Sequence, residues 1–387
     1  MKNLSAKRVI QSISSGTAIS KDKISKSGLY PVYGGGSKIG YCSDYNCDDV
    51  VLVGRVGSCG HITLVKDKCW ATDNALIIKT KGETSYLAYL LTSTDMTPLI
   101  SQTAMPLLTS GKIKELILPY TFDITEQRQI VHFLDRKCSA IDTAIEKTKE
   151  SIEKLEEYKK AVITEAVTKG LDPDAKMKDS GVEWIGEVPE GWKIIKTKYL
   201  FLILKRIAGE EGYDVISITQ NGLKIRNTKS NEGQVAADYS NYQFVYPGDF
   251  AMNHMDLLTG WVDLSTLFGV TSPDYRVFRR ISEKVNNDYY RYVFQSLYFN
   301  KVYYGLAKGV AEMGRKRLQA PVFKDVRLPF PPSEEQKVIA DYIDQKCTAI
   351  NHLIAKKQET ISKWEEYKKS LIYYAVTGKI DCRNEVL

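Results

Sequence analysis

Four stretches of this 387-residue chain have residue types that could do chemistry. "YGGGSKIG" (33–40) has the glycines of a phosphate loop but lacks the G-K-[ST] close that sets a lysine and a metal-binding hydroxyl on the phosphates. It reads as a turn between strands. "GRVGSCG" (54–60) is not G-x-G-x-x-G opening a helix, so a dinucleotide site is not expected. Cys42, Cys47, Cys59 and Cys69 crowd one region beside His61, but their gaps of four and nine residues depart from paired zinc-ligand spacing, and buried apolar thiols are expected instead. "LPFPP" (328–332) does not reproduce the Asn/Asp-Pro-Pro-aromatic loop that grips a flipped base in amino-methyltransferases. The four histidines (61, 132, 254, 352) assemble no triad or metal cluster, so no catalytic residue and no metal ligand is assigned. What remains is binding chemistry. "KGVAEMGRKRL" (308–318) concentrates four positive charges beside glycines, where a backbone can approach a phosphate closely.

The elements that must position these residues show themselves by repetition. Glu126–Asp172 aligns with Glu335–Asp381 without a gap, with 23 identities in 47 positions. Both copies carry a heptad stripe: Leu134, Cys138, Ile141, Ile145, Ile152, Leu155, Val162 and Ala166, then Ile343, Cys347, Ile350, Ile354, Ile361, Trp364, Leu371 and Ala375. Thr148 and Lys159 interrupt the first stripe, and Lys357 and Lys368 the second at the same places. Two helices of about 40 residues, each about 60 Å long, are expected to pair antiparallel. Thr125 with Glu126, and Ser333 with Glu334 and Glu335, supply a capping hydroxyl and acids at the helix starts.

The segments before each helix also match. Asp48–Lys79 lies against Gly248–Arg279 at an offset of 200, "YLAYLLTS" (86–93) against "YYRYVFQS" (289–296), and "KIKELILP" against "VFKDVRLP". The chain therefore divides into a head at 1–121, a spacer helix at 122–172, a second head at 173–331 and a C-terminal spacer helix at 332–387, with an internal pseudo-twofold. Turns such as "VGSCG" and "YPGD" between β-rich runs make each head α/β with a mixed sheet. The net charge of +7 resides in the heads: Lys+Arg against Asp+Glu is 14 to 9 for 1–120 and 22 to 18 for 173–330, but 9 to 11 and 9 to 9 in the helices. A polyanionic partner for the heads fits that distribution. No run of 18 apolar residues suggests a membrane span, and the odd cysteine count with no signal-like start points to a reducing cytoplasm.

These features together resemble the specificity subunit of Type I restriction–modification enzymes over nearly the whole length. "LYPVYGGGSKIGY", "VGRVGSCG" and "WATDNALII" carry the likeness in the first head. "DSGVEWIGEVPEGWKIIKTKYLF", "YPGDFAMNHM" and "GVTSPDYRVF" carry it in the second, and the "EQ…FLD/YID…EEYKK…AVT" helix follows each. The first head departs from the pattern by lacking the "DSGVEWIGEVPEGW" leading segment. The resemblance implies two target-recognition domains, each reading half of a split sequence in double-stranded DNA, and no catalysis by the chain itself. It implies two methyltransferase subunits docked on the helices and motor–nuclease subunits joining them. S-adenosylmethionine, ATP and Mg would be bound by those partners. The residues expected to meet DNA are Lys38, Arg55 and Lys112 in the first head. In the second they are Arg226, Asn253, His254, Lys308, Arg315, Lys316 and Arg317. Glu156, Glu157, Tyr158, Lys159 and Lys160, with their counterparts Glu365, Glu366, Tyr367, Lys368 and Lys369, are expected to dock partner helices. The competing expectation is a coiled-coil scaffold with two globular heads and no DNA.

Overall fold

The computed structural model describes residues 1–101, 105–227, 238–307 and 316–382. The chain forms two compact units, Met1–Glu150 with Lys357–Leu387, and Ser151–Lys356.

In the first unit an antiparallel sheet is built from β1 (Ile10–Ser15), β2 (Val50–Gly54), β3 (Ile62–Val65) and β4 (Ala75–Thr80), in the order β1-β4-β2-β3. The run "VVLVG" forms its central strand because both faces are covered, which removes the usual polar alternation. Val51 and Val53 pack with Tyr86, Leu87, Leu90 and Leu91 of helix α1 (Thr84–Thr92). Val50 and Leu52 pack the other way, with Cys47, Cys69 and Ala71. A smaller sheet of Tyr30–Tyr33, Lys38–Cys42 and Trp70–Ala71 contains the parallel pairing, Val32 with Trp70, that makes the head mixed. "ILPY" (117–120) pairs antiparallel with Lys2–Ser5 and leads into helix α2 (Ile124–Lys169). The cap differs from the sequence expectation: Asp123, two residues before Thr125, accepts the N–H groups of Thr125 (2.9 Å) and Glu126 (3.4 Å).

The second unit repeats the four-stranded sheet, while its smaller strands form two antiparallel pairs, Ile216–Thr219 with Gly222–Ile225 and Gln243–Val245 with Gly269–Thr271. Strands β5 (Phe201–Leu204), β6 (Phe250–Met252), β7 (Val262–Leu264) and β8 (Arg276–Arg280) take the order β5-β8-β6-β7. Helix α3 (Asn287–Phe299) covers one face, and the core there is aromatic. Phe201 meets Phe294 edge-on at 5.0 Å and Phe250 stacks on Phe278 at 5.1 Å. Each buried ring contributes about 2 kcal/mol by burial alone. "RLPF" (327–330) pairs with Lys193–Lys196 and leads into helix α4 (Ser333–Val376).

Within each unit the head is pinned to a long helix by the same two side chains. Gln127 and Gln336 are fully buried. Gln127 accepts the Glu83 N–H (2.8 Å) and donates to the Thr121 carbonyl (2.7 Å). Gln336 accepts the Asn286 N–H (2.8 Å) and donates to the carbonyls of Pro331 (2.9 Å) and Lys284 (3.2 Å). Asp135 accepts the Tyr89 hydroxyl at 2.6 Å, and Asp344 accepts the Tyr292 hydroxyl. Burial and then the neighbouring carboxylate raise both phenols well above their usual range.

The long helices pair antiparallel inside both units. In the first unit Leu134, Cys138, Ile141 and Ile145 share a core with Leu371, Ile372, Ala375 and Val376. In the second, Ile163, Ala166 and Val167 share one with Ile339, Ala340, Ile343 and Cys347. Toward the middle of the helices the stripe opens: Ile152, Leu155 and Ile361 are half-buried, and Trp364, expected in the seam, is 36% exposed. Two of the interrupting lysines cross the seam. Lys368 Nζ reaches the Asp142 carboxylate at 2.6 and 2.7 Å, and Lys159 Nζ reaches Asn351 Oδ1 at 3.0 Å. Gly170 (φ 74°) and Gly378 (φ 72°) follow the helix ends in the left-handed conformation that glycine takes without strain. No helix of the described residues is long and apolar enough to cross a membrane.

Candidate nucleic-acid interface

In the first head, the turn after β2 is closed by the Gly54 N–H on the His61 carbonyl (2.8 Å), and the Arg55 carbonyl accepts the N–H of buried Leu108 (3.0 Å). A Cβ on Gly54 would lie 1.9 Å from the Ser58 carbonyl oxygen and 2.1 Å from that of Gly35, so the turn and the glycine-rich loop meet only because both are glycine. Beside them is an open cleft of about 540 Å³ lined by Gly34–Ser37, Val56, Ser58, Asp73 and Asn74, among others. Arg55 bends over toward Ser15 Oγ and the Asp73 carbonyl, each 3.4 Å from Nη1. Lys38 is exposed between the cleft residues Ser37 and Ile39, its ammonium donating to the Tyr41 hydroxyl at 2.9 Å. Lys112 is apart from this group, on the helix Ser110–Glu115, paired with Glu115 at 3.5 Å.

The second head closes the same way. The Asn253 N–H reaches the Trp261 carbonyl (2.9 Å), and the His254 carbonyl accepts the N–H of Leu318 (3.0 Å). His254 thus holds the place that Arg55 holds in the first head, and Leu318 that of Leu108. Asn253 is fixed further, its side chain capping the Met255 N–H (3.2 Å) and its carbonyl accepting the Tyr298 hydroxyl (2.5 Å). Burial, then Arg276 and Arg317, push the His254 imidazole down to about 4, so it is neutral at physiological pH. Lys316 lies 4.1 Å above the Tyr304 ring and Arg317 is exposed. Arg317 is thus close enough to His254 to act on its charge, while Lys316, one residue earlier, faces Tyr304. Arg226 follows the hairpin of Ile216–Thr219 and Gly222–Ile225, with its N–H on the Val215 carbonyl (2.8 Å). Lys308 and Arg315 lie outside the described residues.

On the helices, Glu156, Glu157, Tyr158 and Lys160 are exposed, as are Glu365, Glu366, Tyr367 and Lys369. Lys159 and Lys368 depart from their expected docking role, since both turn inward to the opposite helix of their own unit. Sequence reading missed Gln127, Gln336, Asp135 and Asp344 as the anchors of the heads, although their identity in both copies was a signal. It also missed Arg276, which is buried on β8 where the first head has Leu76. All seven cysteines are free, with Cys47 Sγ and Cys69 Sγ 3.4 Å apart. Among the described residues no group of three or more His, Cys, Asp or Glu could hold a metal.

Paired heads whose four-stranded sheets share one strand order, each with polar and basic side chains beside the same turn, define a duplicated protein. The model of the Type I restriction modification DNA specificity domain matches residues 6–157 and 189–363, and the chain belongs to that family. The Type I restriction enzyme MjaVIII specificity subunit of Methanocaldococcus jannaschii is 28% identical over 282 residues, which cover 67% of this chain and 61% of that protein. The chain thus spans less than two thirds of that relative's length. The Type I restriction enzyme EcoprrI specificity subunit of Escherichia coli is 30% identical over 112 residues, 28% of either protein. A solved chain from work on complex assembly and conformational transition of the type I R-M system aligns over 98% of both chains, with a TM-score of 0.66 at 14% identity, a likeness of fold.

Proposed function

We propose that this chain is the DNA-specificity subunit of a Type I restriction–modification complex, with each head reading one half of a two-part target. The observation that carries this reading is the repeated closure of each head's turn: Arg55 with Leu108, and His254 with Leu318, bring polar and basic side chains to the same place twice. Phosphate contacts from Lys38, Lys112, Arg226, Lys308, Arg315, Lys316 and Arg317 supply affinity, while Arg55, Asn253 and His254 are suited to base edges. The paired helices hold the unread spacer at a set length and dock two methyltransferase subunits; motor–nuclease subunits complete the assembly. The chain itself performs no chemistry. S-adenosylmethionine, ATP and Mg belong to the partners, and the complex works in the cytoplasm.

The test is long-read methylation mapping of cells that carry the chain with its methyltransferase subunit. A two-part motif of fixed spacing is expected. One added heptad in each helix lengthens it by about 10 Å and is expected to widen the spacer by about three base pairs. Methylation without a two-part motif, or unaltered spacing in an insertion variant that still assembles, rejects the reading. A scaffold with no DNA role would give no salt-dependent DNA binding at all.

A further inference from the structure

Among the buried positions at which the two heads differ, one under the candidate interface exchanges an apolar side chain for a charged one. Leu76 pairs with Val53 in the first head; Arg276 pairs with Met252 at the matching place in the second. Arg276 is 4% exposed, and it forms no ion pair with a carboxylate among the described residues. Its guanidinium lies 4.7 Å from the Phe323 ring centroid, Nη1 lies 3.8 Å from Met252 Sδ, and Nη2 donates to the Leu318 carbonyl at 2.8 Å. Burial lowers its pKa to about 10, so it remains charged at neutral pH. Burying a guanidinium is costly, and the leucine of the first head shows that this sheet position takes an apolar side chain.

What the guanidinium secures by hydrogen bonding is Leu318. This residue is fully buried, its N–H is given to the His254 carbonyl (3.0 Å), and its own carbonyl is taken by Arg276. With both main-chain groups tied, the two residues that precede it, Lys316 and Arg317, leave the head from a fixed root beside Asn253 and His254. In the first head Leu108 has the matching N–H bond to Arg55, but the side chain on β4 below it is the donor-free Leu76.

We propose that Arg276 is a positioning residue for DNA recognition by the second head: it fixes the Leu318 peptide and so sets the root, beside the Asn253–His254 turn, from which Lys316 and Arg317 leave. This rests on the reading of the heads as DNA-recognition domains. The role depends on hydrogen-bond donation rather than on charge near DNA, since the guanidinium is enclosed.

Full-length Arg276→Leu, Arg276→Met and Arg276→Lys are compared with the parent chain, each with its methyltransferase subunits. The Leu and Met variants are expected to assemble, to keep one half of the methylated motif, to relax the other, and to bind the cognate duplex about tenfold more weakly, the scale of one lost polar contact. Arg276→Lys keeps a donor and is expected to retain both halves. The Met variant keeps an unbranched stem, so misfolding of Arg276→Leu alone does not decide the matter. Amide hydrogen exchange at Leu318 is read without DNA and is expected to quicken in the Leu and Met variants. Unchanged exchange with an unchanged motif overturns the proposal, as does joint loss of both half-sites or of methyltransferase binding. If the parent chain itself yields no two-part motif, the DNA reading fails, and the exchange result still judges the positioning.

Discussion

Burial holds the His254 imidazole at about 4, and Arg276 and Arg317 add to the cost of charging it. Above pH 6.5 the ring is neutral in both folded and unfolded chains and contributes no pH dependence. Between pH 6.5 and 4 the unfolded chain takes up a proton that the folded head refuses, so stability falls as the pH drops and levels off below 4. His254→Gln is expected to flatten that part of the profile, read as the urea midpoint between pH 7 and 4.5. Equal slopes for parent and variant would assign the effect elsewhere. Nδ1 of the neutral ring is buried, which leaves Nε2 as the nitrogen that can meet a base edge. At this scale the sequence was partly legible. Arg55 and His254 stood out by residue type, and they turn out to be equivalent positions in the two heads. Arg276 did not stand out, because an arginine in a strand gives no sign of facing inward until its neighbours across the sheet are known.

The helix pair shows what its interrupted stripe is for. Asp142 and Asn351, like Lys159 and Lys368, are 209 positions apart, so the two lysine clasps are one contact written twice with the helices exchanged. A half-exposed ion pair such as Lys368–Asp142 is worth about 0.5 kcal/mol, too little to explain two breaks in an apolar seam. Polar residues at seam positions instead fix register and partner number at some cost in stability. Replacing both lysines with leucine is expected to raise the melting temperature and to yield mixed association states by light scattering. A single species of parental mass would deny the lysines that role. The heptad itself was plain from spacing, because helical periodicity is written locally in the chain. The exposure of Trp364 was not, because the seam opens where Ile152, Leu155 and Ile361 are only half-buried.

For the whole chain, the proposed assembly calls for two equivalent docks. Tyr158 and Tyr367 are 53% and 52% exposed, each beside two exposed glutamates and a lysine. Reversing Glu365 and Glu366 to lysine is expected to leave one methyltransferase subunit per chain by native mass spectrometry. Reversing Glu156 and Glu157 as well should leave none, and two subunits retained on the fourfold variant would contradict the docking proposal. Duplication, helix period and the α/β character of the heads were determined by sequence alone, since repeats and periodicity survive in the linear order of residues. The tertiary structure alone decided which side chains meet: Arg55 with Leu108, His254 with Leu318, Gln336 with the turn before α3. Those contacts join positions some 50 to 65 residues apart, and they exist only because sheet order and close packing bring distant peptides within hydrogen-bond reach.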